Sequence, residues 1–331
     1  MAKKLRFLHG IWQLTLPALL DRQLLFITGK GGVGKSTVAA SLGKAAVAQG
    51  KRVLLCEMDA KGALSTLLQT SELSFTPREV SPNLSAMTMN TQDALREYVS
   101  IFLKTPFVAA IPGLAGIFDF VADAAPGVKE VLVVGKLCYE VRKGNYDIVI
   151  VDAESTGHIV AQVAAPTTLR NFVPLGPLNE QTLWMTAILE DSQKTGVVVV
   201  TTCQEMAVNE ALELVEALQT KTKVDTAAVI VNRVPSEIFT KSQETVFNQL
   251  NQAAIKSFIA NKTGASIDLS LQATGLARAR RNLATHHIAS LRSGLAKLDP
   301  IKELLLLPDF SYQSTDLLVS KLSSELEAEL S

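Results

Sequence analysis

The chain has 331 residues, of which 47% are apolar and 19% charged, and its 32 basic and 32 acidic side chains cancel to a formal net charge of zero. This length can bury a substantial core, and the balanced charge gives no global basic field that would favour nucleic acid. Three cysteines without a C-x-x-C pair indicate a reducing compartment and no sequence-evident zinc site: Cys56, Cys138 and Cys203.

The N-terminal residues imitate a secretory signal, because three basic residues precede an apolar stretch at residues 7–20. Polar side chains and a proline interrupt this stretch, and no small-residue cleavage motif follows it, so we expect a short covering helix or arm. No run of the roughly 18 uncharged apolar residues that span a bilayer occurs elsewhere. We therefore predict a soluble, cytoplasmic protein without an integral membrane span and leave peripheral membrane association open.

A glycine-rich segment, Phe26–Thr37, lies between a predicted strand and a predicted helix and reads F-I-T-G-K-G-G-V-G-K-S-T. The apolar run Leu24–Ile27 predicts a buried parallel strand, and apolar residues at helical spacing predict a helix over Lys35–Gln49. Glycines let consecutive backbone N–H groups turn towards an anion, the helix N-terminus adds partial positive charge, and Lys35 supplies a full one. The P-loop pattern is satisfied by Gly29, Gly34, Lys35 and Ser36.

A second predicted strand, Lys51–Asp59, ends in carboxylates. In open α/β sheets ligands bind just beyond the carboxyl ends of the strands, so we expect Asp59 near the phosphates. A third strand is predicted at Leu84–Met89. From residue 91 to residue 143 the pattern changes to amphipathic helices that prolines and glycines repeatedly break, which favours a helical insertion over an independent domain.

The apolar run Tyr146–Asp152 returns to the sheet and ends in an aspartate, as a Walker B strand does. Such an aspartate can hold the Mg²⁺ shell by accepting hydrogen bonds from its waters, while Ser36 ligates the metal directly. The segment D-A-E-S-T-G-H follows at residues 152–158. Residues 167–195 then form a short stretch, expected to be irregular, that we group with the helical insertion.

Three further buried strands are predicted at Gly196–Thr202, Thr226–Val231 and Leu304–Leu307. An amphipathic helix after the first of these carries Glu210 on what is predicted to be a solvated face. Residues 239–298 predict helices whose arginines also form a solvated face, and an acidic amphipathic helix is expected at residues 315–330. The predicted fold class is α/β: one P-loop NTPase domain over residues 1–331, with a mostly parallel sheet flanked by helices and a helical subdomain at 91–143, joined by 167–195.

Together these motifs resemble the ArsA-type deviant P-loop ATPases, a family that includes arsenite-pump and tail-anchored-protein-targeting members. The resemblance rests on Lys30 just after the first glycine of the loop, on T-G-H at residues 156–158 and on the V-N strand end at Asn232. It covers nearly the whole chain, and the pattern is most similar to bacterial ArsA-like proteins labelled anion-transporter ATPases.

The resemblance implies MgATP binding and hydrolysis by a nucleotide-switched homodimer or heterodimer that serves an unidentified client protein or anion. It implies that Lys30 reaches the nucleotide of the partner subunit, that Asp59 positions the attacking water and that Gly157 senses the γ-phosphate. It further implies that Asn232 recognises adenine, which suits an amide with both donor and acceptor, and that Pro308 belongs to a loop closing over the base. The remaining phosphate contacts are implied for Gly31, Gly32, Val33, Gly34, Lys35 and, at the α-phosphate, Thr37.

The sequence departs from the family at the first switch, which reads D-A-K-G at residues 59–62 where well-known members carry D-P-A-H. Glu154 stands where the family usually has an uncharged residue. The zinc-clamping cysteine pair and the metalloid-binding cysteines are absent, so no zinc is expected, and the short 167–195 stretch counts against a large client groove. Two alternatives stay open: a ParA- or MinD-like positioning ATPase, and a weakly active nucleotide-binding subunit of a heterodimer.

Overall fold

A computed structural model describes residues 19–58, 62–102, 127–172, 177–298 and 304–330. Within them one eight-stranded sheet has the order β3-β4-β2-β5-β1-β6-β7-β8. Neighbouring strands run parallel except at the edge, where β3 pairs antiparallel with β4. The strands are β1 (Leu24–Gly29), β2 (Val53–Glu57), β3 (Arg78–Ser81), β4 (Leu84–Thr88), β5 (Ile148–Ser155), β6 (Thr195–Thr202), β7 (Thr226–Val234) and β8 (Leu304–Pro308).

Helices cover both faces of this sheet. Those before β6 are α1 (Lys35–Ala48), α2 (Ala63–Leu67), α3 (Thr91–Phe102), α4 (Val128–Lys143), α5 (Thr156–Phe172) and α6 (Pro177–Leu189). Those after it are α7 (Glu205–Lys221), α8 (Lys241–Leu250), α9 (Ala253–Thr263), α10 (Asp268–Leu295) and α11 (Thr315–Leu330). No helix in the described ranges is long and apolar enough to cross a membrane.

The central strand β1 is buried on both faces because its apolar side chains alternate between two cores. Leu24 and Phe26 pack into the core formed with α4, α5, α7 and α10. Leu25 and Ile27 pack into the other core, formed with α1 and α11. Burial on both faces explains why the strand reads as a continuous apolar run, as parallel strands covered by helices do.

Small residues bring α1 close to the sheet. A Cβ at Gly43 would lie 3.0 Å from the Leu55 side chain on β2, so α1 packs tightly on that leucine there. The same helix is covered on its outer side by Val319 and Leu322 of α11, which are buried. The helix that follows the glycine-rich loop is therefore held on a rigid base.

The fold confirms the predicted α/β class and its central strands, with two differences. The edge strand β3 has mostly exposed residues, so it carries no hydrophobic signal that could predict it. The expectation that residues 167–195 are irregular is wrong, because α5 runs through Pro166 to Phe172 and α6 begins at Pro177. Proline suits the first turn of a helix, where its missing N–H costs nothing.

The predicted arm at 1–18 and much of the helical insertion, at 103–126, lie outside the described residues.

A buried charge network ties α3 to α4 beside the sheet. The Lys136 ammonium donates to the Glu140 carboxylate at 2.7 Å and to the Glu97 carboxylate at 2.8 Å. The Lys136 and Glu140 side chains are only 5% and 3% exposed, so both charges have left water. Burial by itself lowers the pKa of Lys136, but the hydrogen bonds to Glu140 and Glu97 outweigh it and raise the pKa above the ordinary value.

Removing the lysine alone should destabilise the protein strongly. We expect Lys136→Met to lower the free energy of unfolding by about 3 kcal/mol, because it leaves the buried Glu140 carboxylate with only the partly exposed Lys143 ammonium, 3.5 Å away, as a cation. The double variant with Glu140→Gln should recover much of this loss. Urea unfolding of both variants measures the effect, and Arg96→Met, in an exposed pair, serves as the control.

The raised pKa of Lys136 also determines how the stability of the protein changes with pH. The stability contributed by the Lys136 pairs is fully present below the ordinary lysine pKa of about 10.4 and is lost as pH rises through the higher folded value. On the alkaline side, the stability difference between the wild type and Lys136→Met should therefore persist up to about pH 10 and shrink only above it. A difference that already shrinks as the pH rises from neutral to about 9 would contradict the network described here.

Candidate nucleotide-binding site

The glycine-rich loop leaves the middle of the sheet at the carboxyl end of β1. That strand lies between β5 and β6, and Gly29 is in register with Ser155 on one side and Val200 on the other. A Cβ atom at Gly29 would lie 2.1 Å from the Val200 carbonyl oxygen, so only glycine fits. The loop therefore starts at the carboxyl edge of the sheet, where α/β proteins bind ligands.

The loop ends at the N-terminus of α1. Gly34 precedes the helix with φ 95°, a left-handed conformation that favours glycine, and the first helical turn carries no acidic residue. Lys35 bends back over the loop, with its ammonium nitrogen 3.4 Å from the Lys30 carbonyl oxygen. The positive end of the helix dipole and the Lys35 ammonium thus both lie at the loop.

The neighbouring strand end of β7 supports the loop from the side. The Asn232 amide nitrogen donates to the Val33 carbonyl oxygen at 2.9 Å, and its amide oxygen accepts from the Arg233 N–H at 2.9 Å. Arg233 adopts φ 56°, which is rare for a residue with a side chain, and donates to the Gly32 carbonyl oxygen at 3.2 Å. Asn232 is 3% exposed, and a Cβ at Gly34 would lie 2.4 Å from its amide nitrogen. Asn232 therefore braces the loop, a role that the sequence did not reveal, and its recognition of adenine stays a prediction.

The carboxyl end of β5 lies beside the loop as the Walker B prediction requires. Asp152 is 7% exposed and lies in register with Ile27 of β1. Two residues on, the Glu154 carbonyl accepts from the Thr28 hydroxyl at 3.0 Å, which connects the end of β5 to the end of β1. The Glu154 side chain lies 3.5 Å from the His158 imidazole on the first turn of α5. The unusual glutamate thus has a partner within the T-G-H segment.

The segment after β2 is anchored at both ends, although Asp59 and Lys61 lie outside the described residues. On one side the Met58 N–H donates to the Asp152 carbonyl at 3.1 Å. On the other side the Ala63 N–H, at the start of α2, donates to the Glu57 carboxylate at 2.8 Å. Glu57 is buried, so its carboxylate closes a short loop that begins beside the Walker B aspartate. The loop's ends are thereby held at the carboxyl edge of the sheet.

The second lysine of the loop is paired within its own chain. The Lys30 ammonium forms a salt bridge with the Glu210 carboxylate of α7, and both side chains are about one-third exposed, at 35% and 32%. The sequence pattern predicted a solvated face for Glu210, and the side chain is partly exposed, but it also contacts the loop. Only the fold brings the start of α7, after β6, next to the loop after β1.

The other predicted site residues follow the same edge. Gly157 lies exposed in the first turn of α5. Pro308 ends β8 in register with Val234, two residues after Asn232, and the Asp309 N–H donates to the Val234 carbonyl at 2.9 Å. Within the loop, Gly31 and Gly32 are exposed and Val33 is buried, whereas intermediate exposure is shared by Gly34, Lys35, Ser36 and Thr37.

The three thiols are free and are held protonated. Burial raises the pKa of Cys138 to about 12 and that of Cys203 to about 11, and it raises the pKa of Cys56 as well. A protonated thiol is a poor metal ligand. Within the described ranges, no group of three or more His, Cys, Asp or Glu side chains has a geometry that could hold a metal ion.

A parallel sheet whose central strand leads through a glycine-rich loop into a helix, beside a second strand ending in a buried aspartate, defines a P-loop nucleotide-binding protein. The profile of the anion-transporting ATPase family matches residues 22–183 and 175–261. The chain therefore belongs to this ArsA-type family.

Individual relatives agree with this assignment. The chain is similar to ATPase BagA of Mycobacterium tuberculosis, with 29% identity over 228 residues, or 65% of this chain and 66% of that protein. It is also similar to an ATPase get3 of Botryotinia fuckeliana, with 30% identity over 160 residues, 47% of this chain and 46% of that protein. An ATPase ASNA1 homolog of Entamoeba dispar is 29% identical over 160 residues, 45% of this chain and 47% of that protein. The chain thus spans just under two-thirds of the first of these relatives and about half of the other two.

The bracing role of Asn232 can be separated from base recognition. We expect Asn232→Ala to weaken the binding of both ATP and GTP by about fivefold or more. The Val33 carbonyl would lose its buried hydrogen-bond donor, which costs about 1 to 3 kcal/mol. An additional loss for ATP alone would measure recognition of adenine. Calorimetric titration with both nucleotides provides the measurement, with the exposed Asn209→Ala as the control. Unchanged GTP affinity would contradict the bracing role.

Proposed function

We propose that the chain binds MgATP and hydrolyses it to ADP and phosphate as a nucleotide-switched dimer. The observation that carries this proposal is the loop between β1 and α1, in which Lys35 folds back to within 3.4 Å of the Lys30 carbonyl oxygen. Such a loop surrounds a phosphate chain with N–H groups and one cation. Membership of the anion-transporting ATPase family supports the same reaction.

The residues at this edge fit a phosphate chain with its magnesium. Cβ atoms built at Gly31 and Gly32 meet nothing within 4 Å, so there is room above the loop for phosphate groups to approach the backbone. The absence of an acidic side chain in the first turn of α1 leaves no competing anion at that helix end. Ser36 provides a hydroxyl and Asp152 a buried carboxylate, the hard oxygen donors that Mg²⁺ prefers.

The proposed chemistry is positioning and charge stabilisation, as phosphoryl transfer generally requires. Gly31–Gly34 and Lys35 hold the β- and γ-phosphates, and Thr37 holds the α-phosphate. Ser36 would ligate Mg²⁺ and Asp152 would hold its water shell, and the metal, when bound, neutralises charge on the phosphate oxygens. Asp59 orients the attacking water from the loop that Glu57 and the Asp152 carbonyl anchor.

The proposal of a dimer rests on Lys30. In the described conformation its ammonium is held by Glu210 of the same chain, at a surface position on the edge where the phosphates would bind. We propose that in the dimer Lys30 leaves Glu210 and reaches the nucleotide of the partner, where it stabilises developing charge. Because the pair is partly exposed, breaking it costs little, about 0.2 to 1 kcal/mol.

Nucleotide state is proposed to reach the rest of the protein through the start of α5. Gly157 would bring its N–H to the γ-phosphate, and His158, paired with Glu154, follows it on the same turn. Glu154 is in turn connected through its carbonyl to Thr28 in β1. Loss of the γ-phosphate would therefore change the position of α5 relative to β1, a local event that can alter a dimer interface.

A weakly active subunit of a heterodimer is the second candidate. It is favoured by the first switch, where Lys61 and Gly62 stand in place of the residues of well-known members. Turnover by the purified protein alone, compared with turnover after adding a related ATPase from the same cells, distinguishes the two candidates.

Two variants test the catalytic assignment. We expect Lys35→Ala to lower the ATP hydrolysis rate at least about 100-fold, because a phosphate-facing cation is lost. We expect Asp59→Asn to retain ATP binding while lowering turnover by about 100-fold or more, because the attacking water is no longer oriented by a carboxylate. Phosphate release and ATP binding are measured in parallel, with Asp21→Asn as the control. Normal turnover by Asp59→Asn would show that the water-positioning assignment is wrong.

A third variant tests the exchange of Lys30. Glu210→Gln should favour the ATP-bound dimer, because Lys30 no longer has to leave a carboxylate. We expect the protein concentration that gives half-maximal activity to fall by up to about fivefold. Glu213→Gln, one turn further along α7 and exposed, is the matched control. Lys30→Ala should abolish the concentration dependence of hydrolysis. If Lys30→Ala dimerises and hydrolyses normally, the role of Lys30 in the partner site is refuted.

A further inference from the structure

Arg233 occupies an unusual place in the chain, directly after Asn232 at the carboxyl end of β7. The residue is exposed, and its backbone adopts φ 56°, in the left-handed region that residues with a Cβ rarely enter. The register between β7 and β8 shifts at the same point, between Val231 and Val234. Such irregularities re-aim a side chain, and strained residues persist where the surrounding structure holds them. The side chain of Arg233 is therefore turned out of the regular strand.

Hydrogen bonds hold the backbone on both sides of Arg233. Its N–H donates to the amide oxygen of Asn232 at 2.9 Å, and the carbonyl of Val234 accepts from the Asp309 N–H at 2.9 Å. Asn232 is buried and is itself fixed by its bond to the Val33 carbonyl, and Val234 is buried as well. The left-handed conformation of Arg233 is thus held by its two buried neighbours.

The guanidinium of Arg233 lies against the glycine-rich loop on the side of β7. Its Nη1 donates to the Gly32 carbonyl oxygen at 3.2 Å. Its Nη2 lies 4.0 Å from the position of a Cβ at Gly34. The guanidinium therefore contacts the middle of the loop, two residues before the lysine that begins α1.

Two consecutive residues of β7 thus hold two consecutive peptide groups of the loop. Arg233 bonds the Gly32 carbonyl, and Asn232 bonds the Val33 carbonyl. Within the described ranges no peptide bond is cis, and in a trans peptide the N–H points opposite to the C=O. The N–H groups of Val33 and Gly34 are therefore directed away from β7. Successive N–H groups that point to one side form the concave anion site of phosphate-binding loops.

We propose that Arg233 is a positioning residue of the phosphate site. By holding the Gly32 carbonyl it keeps the Val33 N–H turned towards the phosphate chain. Its positive charge also polarises this peptide group, so that the N–H becomes a stronger donor. The inference rests on the proposed function, which assigns the phosphates to this loop. It adds a residue that acts on the phosphates through the backbone and does not touch them.

The chemistry of the guanidinium suits this role. It stays charged at every physiological pH, and a charged donor makes a stronger hydrogen bond than a neutral one. A lysine at position 233 would keep the charge and a donor but lose the planar arrangement. Because Arg233 acts on the loop that surrounds the phosphates, its effect should be equal for ATP, for GTP and for inorganic triphosphate, which has no base.

Replacement of Arg233 by glycine tests the assignment, because glycine adopts a φ of 56° without strain and removes the guanidinium. We expect Arg233→Gly to weaken the binding of ATP, GTP and inorganic triphosphate by about three- to tenfold each, as the loss of one hydrogen bond would. Arg233→Lys should bring all three affinities back to within about twofold of the wild type, because it keeps a cationic donor. Calorimetric titration of the full-length chain with Mg²⁺ present measures the three affinities.

Asn83→Gly is the matched control. Asn83 is exposed, has φ 63° and lies directly before β4, at the amino edge of the sheet. Both glycine variants relieve the same kind of backbone strain, so neither should lower the melting temperature. Only Arg233→Gly should weaken triphosphate binding.

A second measurement follows the Val33 amide in the nucleotide-free protein. Its amide nitrogen belongs to the same peptide group as the Gly32 carbonyl that Arg233 bonds. The nuclear magnetic resonance signal of this nitrogen should therefore shift in Arg233→Gly, move back towards the wild-type position in Arg233→Lys and stay unchanged in Asn83→Gly.

The outcomes separate the role of Arg233 from the proposed function. Equal losses for the three ligands, together with a shifted Val33 signal, support the positioning role. Unchanged binding of inorganic triphosphate by Arg233→Gly overturns it, and so does a loss confined to ATP, which would indicate a contact with the base. A loss without any change at Val33 also overturns it, since it would indicate direct contact with the phosphates. A wild type that binds none of the three ligands would instead refute the proposed function, and this inference with it.

Discussion

The close approach of Gly29 to the carbonyl oxygen of Val200 determines where β1 ends and the anion-binding loop begins. With 2.1 Å between that oxygen and the position of a Cβ, no other residue allows β1 and β6 to stay in register at this point. Because β1 is the central strand, covered on both faces, its end cannot shift without disturbing two cores. The position of the loop therefore depends on the packing of the whole sheet.

Around this loop, the ends of β7, β5 and β2 contribute contacts at the carboxyl edge of the sheet. β7 braces the loop through Asn232, and β5 presents Asp152 and holds Thr28 through the Glu154 carbonyl. At the end of β2, the Glu57 carboxylate accepts from the Ala63 N–H at the start of α2. These contacts are 2.8 to 3.0 Å long and buried or partly buried, so they hold the strand ends to one another. The pairs Lys30–Glu210 and Glu154–His158 are partly exposed and therefore weaker.

Local patterns were enough to predict the central elements. The apolar runs of β1, β5 and β6 and the spacing of the P-loop depend only on neighbouring residues, and the structure confirms them. Prediction failed where the signal was weak or ambiguous. The edge strand β3 buries almost nothing, and the prolines near α5 and α6 suggested breaks although Pro177 opens a helix. The family assignment was also predictable, because the P-loop, T-G-H and V-N motifs occur in order along one chain.

By itself, the sequence determined the fold class, the family and the loop that would hold phosphate, because each depends on residue types at short spacing. Only the tertiary structure decided which residues face one another across the carboxyl edge of the sheet. It paired Lys30 with Glu210 and turned the Asn232 amide towards Val33. Residues that meet in this way are separated by up to about 200 positions, and the strand order that joins them is set by packing against two cores.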